Sequence, residues 1–443
     1  MKTIVLLTFA FLPTLAWTEE RYTIVQIEAG PGAPPTTCSY GKGINNRGEV
    51  VGYFETAEYR IPSHAFRYSP LEGMVDLGSF SDGFAINDVG QMAGAGNEAA
   101  RWTPGVGWES LGTFGGLWSL AHAINRRGQV TGWSTRADGS ETAFRYTDGL
   151  GMQDLGVGHV GRGINDLGWV TGANGLGAFL YRDDLGVIEL GPGLGIAVNN
   201  RGMVAVDYGY PFEEWAALWH DGQTRFLGTL GGGSSGPLDI NEKNQIVGGS
   251  ERPNRSLAGF IWTEQEGMVD LNSLVDSNTG WFLGEAEGIN ENGWIVGTGY
   301  YQEKEQAYLL IPIQPSLHIE TAGTNVSLSW TPQWPGLVLE AAPASDTNHW
   351  QAVPGGTNSP VLVPISADGQ VFRLTQYDSF DPVLSLTVAG TNLVVSWSPP
   401  WPDYVLEASP GLTLPTWTPV PGGTNSPVTL PASCTGCFFR LRK

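Results

Sequence analysis

Apolar residues in this chain come in short clusters broken by Gly, Asn and Asp, and no stretch carries the 3.6-residue period of a helix. Residues 73–78, 83–87, 91–94 and 99–102 illustrate the pattern: four strand-length runs, each closed by turn residues. Such spacing predicts consecutive β-hairpins. The joint between the second and third runs is Ile-Asn with Gly three residues after the Asn. Tight hairpin turns require positive φ, which Gly accepts and Asn tolerates. An Asn side chain can also bond its own backbone two residues on.

That joint recurs with Asn45, Asn87, Asn125, Asn165, Asn199, Asn241 and Asn290, at spacings of 42, 38, 40, 34, 42 and 49 residues. A period near 40 fits helical solenoids or propeller blades, and the β-rich units select the blades. The run before each next unit pairs small and aromatic residues, as in Ala65-Phe66, Ala143-Phe144, Ala178-Phe179 and Gly259-Phe260. These suit a sheet packed flat on its neighbours, so the aromatics are expected in the core between blades. His64 is the only His at its place in the seven copies and reads as a hydrogen-bonded edge residue.

Seven joints and seven fourth runs are present, but only six first runs follow a fourth one. The missing strand is expected at residues 22–27, where it would pair with the end of the array. Closing the ring removes the edges that the alternative, an open seven-unit stack, would leave exposed. The expected fold is therefore all-β: a seven-bladed β-propeller of four-stranded blades over residues 22–313, closed by an N-terminal strand.

Several motifs recur in register. Asp270-Leu271-Asn272-Ser273-Leu274, Gly280-Trp281 and the run from Ile289-Asn290 through Gly293-Trp294 to Gly299 resemble the closing unit of the bacterial extracellular HAF-repeat proteins. His64-Ala65-Phe66 matches the tripeptide that names them. The resemblance covers about residues 22–313 and implies an exported, propeller-like protein. It carries over no catalytic residues, because that family has no established activity to transfer. Asn244, where Gly is expected, and the single literal His-Ala-Phe depart from the pattern.

Beyond residue 315 two units repeat at an offset of 67: Trp330 matches Trp397, Trp334 matches Trp401, Glu340 matches Glu407, and Trp350 matches Trp417. Alternating runs such as Val326-Ser327-Leu328-Ser329-Trp330 predict half-buried strands. Each unit, 316–376 and 383–443, is expected to form a small β-sandwich like an immunoglobulin or fibronectin module. Such modules resemble the tandem β units at the C-terminal ends of secreted bacterial proteins. Trp330 and Trp397 read as core. Trp334 and Trp401 lie in Pro-flanked loops, where each either covers the end of its sandwich or offers a ligand-binding surface to a sugar or partner.

Composition narrows the functional classes. A net charge of −21 argues against nucleic acid or anionic lipid as partner. Lys2, the apolar run 4–12 and the small residues up to Ala16 read as a signal peptide over 1–16, too short to span a bilayer. No later segment is apolar enough to cross a membrane. Cys38 stands alone; Cys434 and Cys437 precede the last predicted strand and form either a local disulfide or two free thiols.

No nucleophile elbow, phosphate loop, His-Glu-x-x-His or calcium loop is present, so no catalytic residue, metal or cofactor is expected. Asp82, Asp88, Asp166 and Glu291 read as scattered turn carboxylates. The expected function is a secreted or cell-surface recognition protein whose partner is a polysaccharide or a cell-envelope protein. The alternatives are a carbohydrate-active enzyme with paired carboxylates at the central mouth, and a purely architectural surface protein.

Overall fold

The computed structural model describes residues 20–28, 37–55, 63–79, 82–96, 98–209 and 214–322, and then 324–332, 337–345, 350–364, 370–376, 383–389, 392–398, 405–409, 417–422, 428–431 and 438–442. Trp334, Trp401, Cys434, Cys437 and the proposed signal peptide lie outside the described residues. The chain divides into two compact units near Ser316.

The first unit holds seven four-stranded antiparallel sheets. Blade 1 runs through Ser39–Ile44, Val50–Glu55, Ser63–Ser69 and Gly73–Ser79. Blades 2 to 6 repeat this order from inner strands Asp82–Ile86, Gly115–Ile124, Val160–Ile164, Gly193–Val198 and Ser235–Ile240. Blade 7 takes three strands from Trp281–Ile289, Ile295–Tyr301 and Lys304–Pro312, and its fourth from Tyr22–Ile27. Tyr22 stands opposite Pro312 and Ile27 opposite Ala307, so the N-terminal strand closes the circle. The first run of each sequence unit is thus the outer strand of the preceding blade, one strand out of phase with the repeat as it reads along the chain.

Close approach of backbones explains the small and aromatic residues. Inner strands bulge, and a Cβ on Gly132 would lie 1.8 Å from the Leu120 carbonyl oxygen. Gly52, Gly172, Gly248 and Gly297 occupy the same place in their blades, opposite the buried Phe66, Phe179, Phe260 and Tyr308. Two blades keep the volume by other means. Blade 5 sets Val206 opposite Ala217, and blade 2 sets Gly94 opposite Ala100 while Trp108 from the outer strand fills the gap. Full burial of each of the four aromatic side chains Phe66, Phe179, Phe260 and Tyr308 stabilises the core by roughly 1.5–3 kcal/mol.

Seven Asn side chains then join the blades. Each Asn accepts at Oδ1 from the backbone N–H groups two and four residues on, as Asn125 does from Arg127 and Gln129. Each Nδ2 donates to the backbone oxygen of the corresponding Asn in the next blade. The distances from Asn45 round to Asn290 are 3.0, 3.0, 2.9, 3.0, 3.2, 3.1 and 2.9 Å. The last of these, from Asn290 to Asn45, returns to the start. All seven Asn are buried.

The second unit contains four three-stranded sheets, two for each repeat. In the first, Leu328, Trp330 and Val363 of one sheet pack with Leu337 and Leu339 of the other, which is sandwich packing. Val395 and Val428 meet Leu406 and Val420 in the second. Trp350 is half-buried, and the Arg373 guanidinium lies 4.3 Å from its ring centre. Arg373 and Thr375 donate to the buried Glu340 at 2.7 and 2.8 Å. Among the described residues no helix is long and apolar enough to cross a membrane.

Candidate functional site

A propeller offers two faces and an axis. Here the Asn turns, with the turns between third and outer strands, form one face. The opposite face carries the loops between second and third strands and the connections from blade to blade.

On the Asn face, the residue after each Asn lines the mouth of the axis. Its side chain accepts a backbone N–H from the preceding blade. The contacts are Asn46 to Asp88, Arg126 to Asp166, Asp166 to Asn200, Asn200 to Glu242, Glu242 to Glu291, and Glu291 to Asn46, at 2.8–3.1 Å. The seventh joint lacks this bond because Arg126 has no acceptor; its guanidinium instead pairs with Asp88 at 3.3 Å. Asp88, Asp166 and Glu291, scattered in sequence, are therefore gathered round one opening, and each acts as a clasp between blades. Burial raises the Glu242 carboxyl above its ordinary pKa.

Below the opposite face a shaft of about 250 Å³ takes one side chain from each blade, among them Lys42, His122, Arg162 and Glu287. Lys42 is ion-paired with Glu287. Arg162 donates to the His122 ring at 3.2 Å. Burial, and then the neighbouring guanidinium, hold His122 neutral with its pKa lowered to about 3. Asp239 also reaches the shaft wall, at a position that is Gly or Ala in the other six blades. It accepts from the backbone N–H of Ile240 at 2.8 Å and of Ile289 in blade 7 at 2.9 Å. Burial pushes its carboxyl up to about 7.

A cavity of about 650 Å³ opens on the same face over blades 3 to 5. Trp133, Glu141, His159, Arg162, Asn174 and Leu194 line it. Trp133 sits on the second strand of blade 3, and Glu141 begins the third. His159 lies in the connection to blade 4 at φ 79°, in the left-handed region. Its backbone N–H donates to the Glu141 carbonyl at 3.4 Å, which ties the two residues together. Asn174 is held by bonds from Leu176 and Gly177 and donates to Glu189. Among the described residues the His159 ring, the Trp133 indole N–H and the Glu141 carboxylate make no hydrogen bond to the protein.

These residues carry no sequence motif. One signal was available. The place of Trp133 is filled by Tyr53, Ala95, Ala173, Asp207, Gly249 and Thr298 in the other blades, so Trp stands there once in seven. His64, by contrast, pairs with Asp76 at 2.8 Å at the blade edge. Cys38 is half-buried and forms no disulfide among the described residues. No three His, Cys, Asp or Glu side chains among the described residues are grouped to hold a metal ion.

Fold and cavity together define a seven-bladed β-propeller with an aromatic, mixed-polarity pocket on its connection face. No protein-family model and no curated protein matches the chain. Among solved structures it is similar to the Pyrococcus horikoshii acylaminoacyl peptidase in an orthorhombic crystal form. That alignment has 12% identity and a TM-score of 0.32, and covers 84% of this chain and 59% of that one. This chain therefore spans less than two thirds of that protein's length.

Proposed function

We propose that this is an exported recognition protein of the HAF-repeat kind, and that its propeller binds a glycan in the connection-face pocket. One observation carries the reading. Trp133, Glu141 and His159 converge on a large open cavity with their polar atoms unused by the protein. Sugar recognition needs a flat aromatic wall together with donors and acceptors for hydroxyl groups. The pocket supplies both. The acidic surface, with a net charge of −21, argues for a sugar over nucleic acid or an anionic membrane.

The alternative, a carbohydrate-active enzyme working at the central mouth, has one feature in its favour. Asp239 and Glu287 come from two blades and line the same shaft. Both are already engaged, Glu287 by Lys42 and Asp239 by two backbone amides. A carboxylate so held is poorly placed to exchange protons with a substrate, so binding is the better reading.

The test is titration of the full chain against a panel of bacterial and plant oligosaccharides, followed by calorimetry and tryptophan fluorescence. Saturable binding that Trp133→Ala abolishes is expected. Absence of saturable binding across the panel, or binding indifferent to Trp133, overturns the reading. N-terminal sequencing of the protein from culture medium tests export, with cleavage expected after Ala16.

A further inference from the structure

We infer that the glycan held in this pocket is an oligomer, and that Trp118 receives the sugar unit next to the one seated against Trp133. The inference rests on the glycan reading above and adds a second stacking subsite. Trp118 belongs to the inner strand of blade 3, Gly115–Ile124, and is 57% exposed. Alternation along the strand fixes the side on which it stands. Ser119 faces blade 2, where its hydroxyl accepts from the Ala99 N–H at 2.8 Å and donates to the Gly112 carbonyl at 2.7 Å. Ala121 packs with Ala93, Ala99 and Leu111 of the same blade. Trp118 and Leu120 therefore turn away from blade 2. Leu120 stands directly opposite Trp133, and residues paired across two strands share a face, so both tryptophans lie on the pocket side of blade 3.

The ladder sets their spacing. The Trp118 N–H donates to Thr135 Oγ1, and that hydroxyl donates back to the Trp118 carbonyl, both at 3.0 Å. Thr135 lies two residues beyond Trp133 and directly opposite Glu141. Trp118 is thus the diagonal neighbour of Trp133, about 7–8 Å away between backbones, and stands above it, toward the face on which the pocket opens. Among the described residues neither indole stacks on another ring or donates its N–H to the protein. Rings rooted that far apart, and not stacked on each other, are each open to a separate sugar unit. Glu141, in one row with Thr135 and Trp118, lies between the two units to accept their hydroxyls. The bonds to Thr135 hold the backbone that carries Trp118, so the exposed ring is placed before binding rather than ordered by it. Blade packing does not call for Trp here: no other copy carries one seven residues before its turn Asn.

The experiment titrates the full chain by calorimetry with cello-, xylo-, manno- and chito-oligosaccharides of one to six units. The hexamer of at least one series is expected to bind about tenfold or more tightly than its monosaccharide. Trp118→Ala should remove that margin by weakening the hexamer, while monosaccharide affinity changes less than about twofold. Trp118→Phe keeps an aromatic platform and should retain most of the margin. Affinity independent of chain length, a length gain that survives Trp118→Ala, or a loss equal at every length overturns the inference and leaves the glycan reading standing. If no saccharide of any length binds, both fall.

Discussion

The side-chain amide of Asn199 donates to the side-chain oxygen of Asn244 in the next blade as well as to the backbone oxygen of Asn241. In blades 2, 3 and 6 the second amide proton has a different partner, the Gln four residues on, at 2.8–3.1 Å. Blade 5 has Met203 at that place, which accepts no such bond. Asn244 supplies the missing acceptor from across the seam, and at φ 54° it tolerates the left-handed region that Gly occupies at 74–85° in the other turns.

Met203 and Asn244 therefore act as a compensated pair. Asn244→Gly should cost about 1 kcal/mol, the worth of one buried hydrogen bond, and Met203→Gln about as much, because it buries an amide whose partner Asn244 already serves. The double variant should return to within about 0.5 kcal/mol of the parent, because it rebuilds the arrangement of Asn125 and Gln129. Urea unfolding of the four proteins measures the coupling; strict additivity would show the pair to be independent.

Ring closure should dominate the stability of the propeller. Ile27 is fully buried among Phe54, Phe66, Val296, Ala307 and Leu309, which belong to blades 1 and 7. Ile27→Asp places an unpaired carboxylate there and is expected to cost about 4 kcal/mol or more. Limited proteolysis should then cut within residues 20–28 first. An unchanged thermal midpoint would mean that the N-terminal strand is dispensable.

Asp239 and Asp207 should each favour the folded propeller as pH falls from about 7 to about 4, with His122 acting in the opposite sense below about pH 6.5. Burial raises the carboxyls of Asp239 and Asp207 to about 7, with Glu214 adding to the shift at Asp207. In this window each of these two carboxyls is protonated in the fold and ionised in the unfolded chain, so its contribution to the unfolding free energy falls as pH rises. Each group contributes about 2 kcal/mol over the window after allowance for solvent. Asp239→Ala, which installs the residue of blades 2, 3 and 5, should remove about 2 kcal/mol of pH-dependent stability between about pH 4 and pH 7. A slope identical to the parent's would remove Asp239 from the account.

Trp133→Ala should weaken glycan binding at least tenfold, about 1.4 kcal/mol, while leaving the Asn ring intact. Circular dichroism and a titration against the best ligand of the panel check the two halves of this statement. Full affinity in the variant would move the binding surface away from the pocket.

The blade count and the closing strand were legible in the chain because each depends on a local signal repeated seven times. Asn45 and its six equivalents announce a turn by chemistry alone, and residues 22–27 stand out as the one strand without a neighbour in sequence. The contact from each Asn to the next blade was not legible, since it spans 34–49 residues at six joints and 245 at the seventh, which exists only when the ring is shut. The pocket was hidden for a related reason. Trp133, His159 and Leu194 come from three blades and share no pattern, so only the angle between neighbouring sheets brings them to one cavity. The clasp made by Asp88, Asp166 and Glu291 was likewise invisible, because the accepting side chain and the amide it serves lie in different repeats.

The pairing of Tyr22 with Pro312 also sets an order of events. Of the propeller's strands Tyr22–Ile27 is made earliest, and it is completed by the last, Lys304–Pro312, so it must wait, half-made and sticky, while six sheets assemble behind it. Contacts of such long range slow folding, and until they form the seven-membered circuit of amides stays open. The molecule is thus built to commit late and all at once, and a chaperone that shields its leading edge would shorten the most hazardous interval of its life.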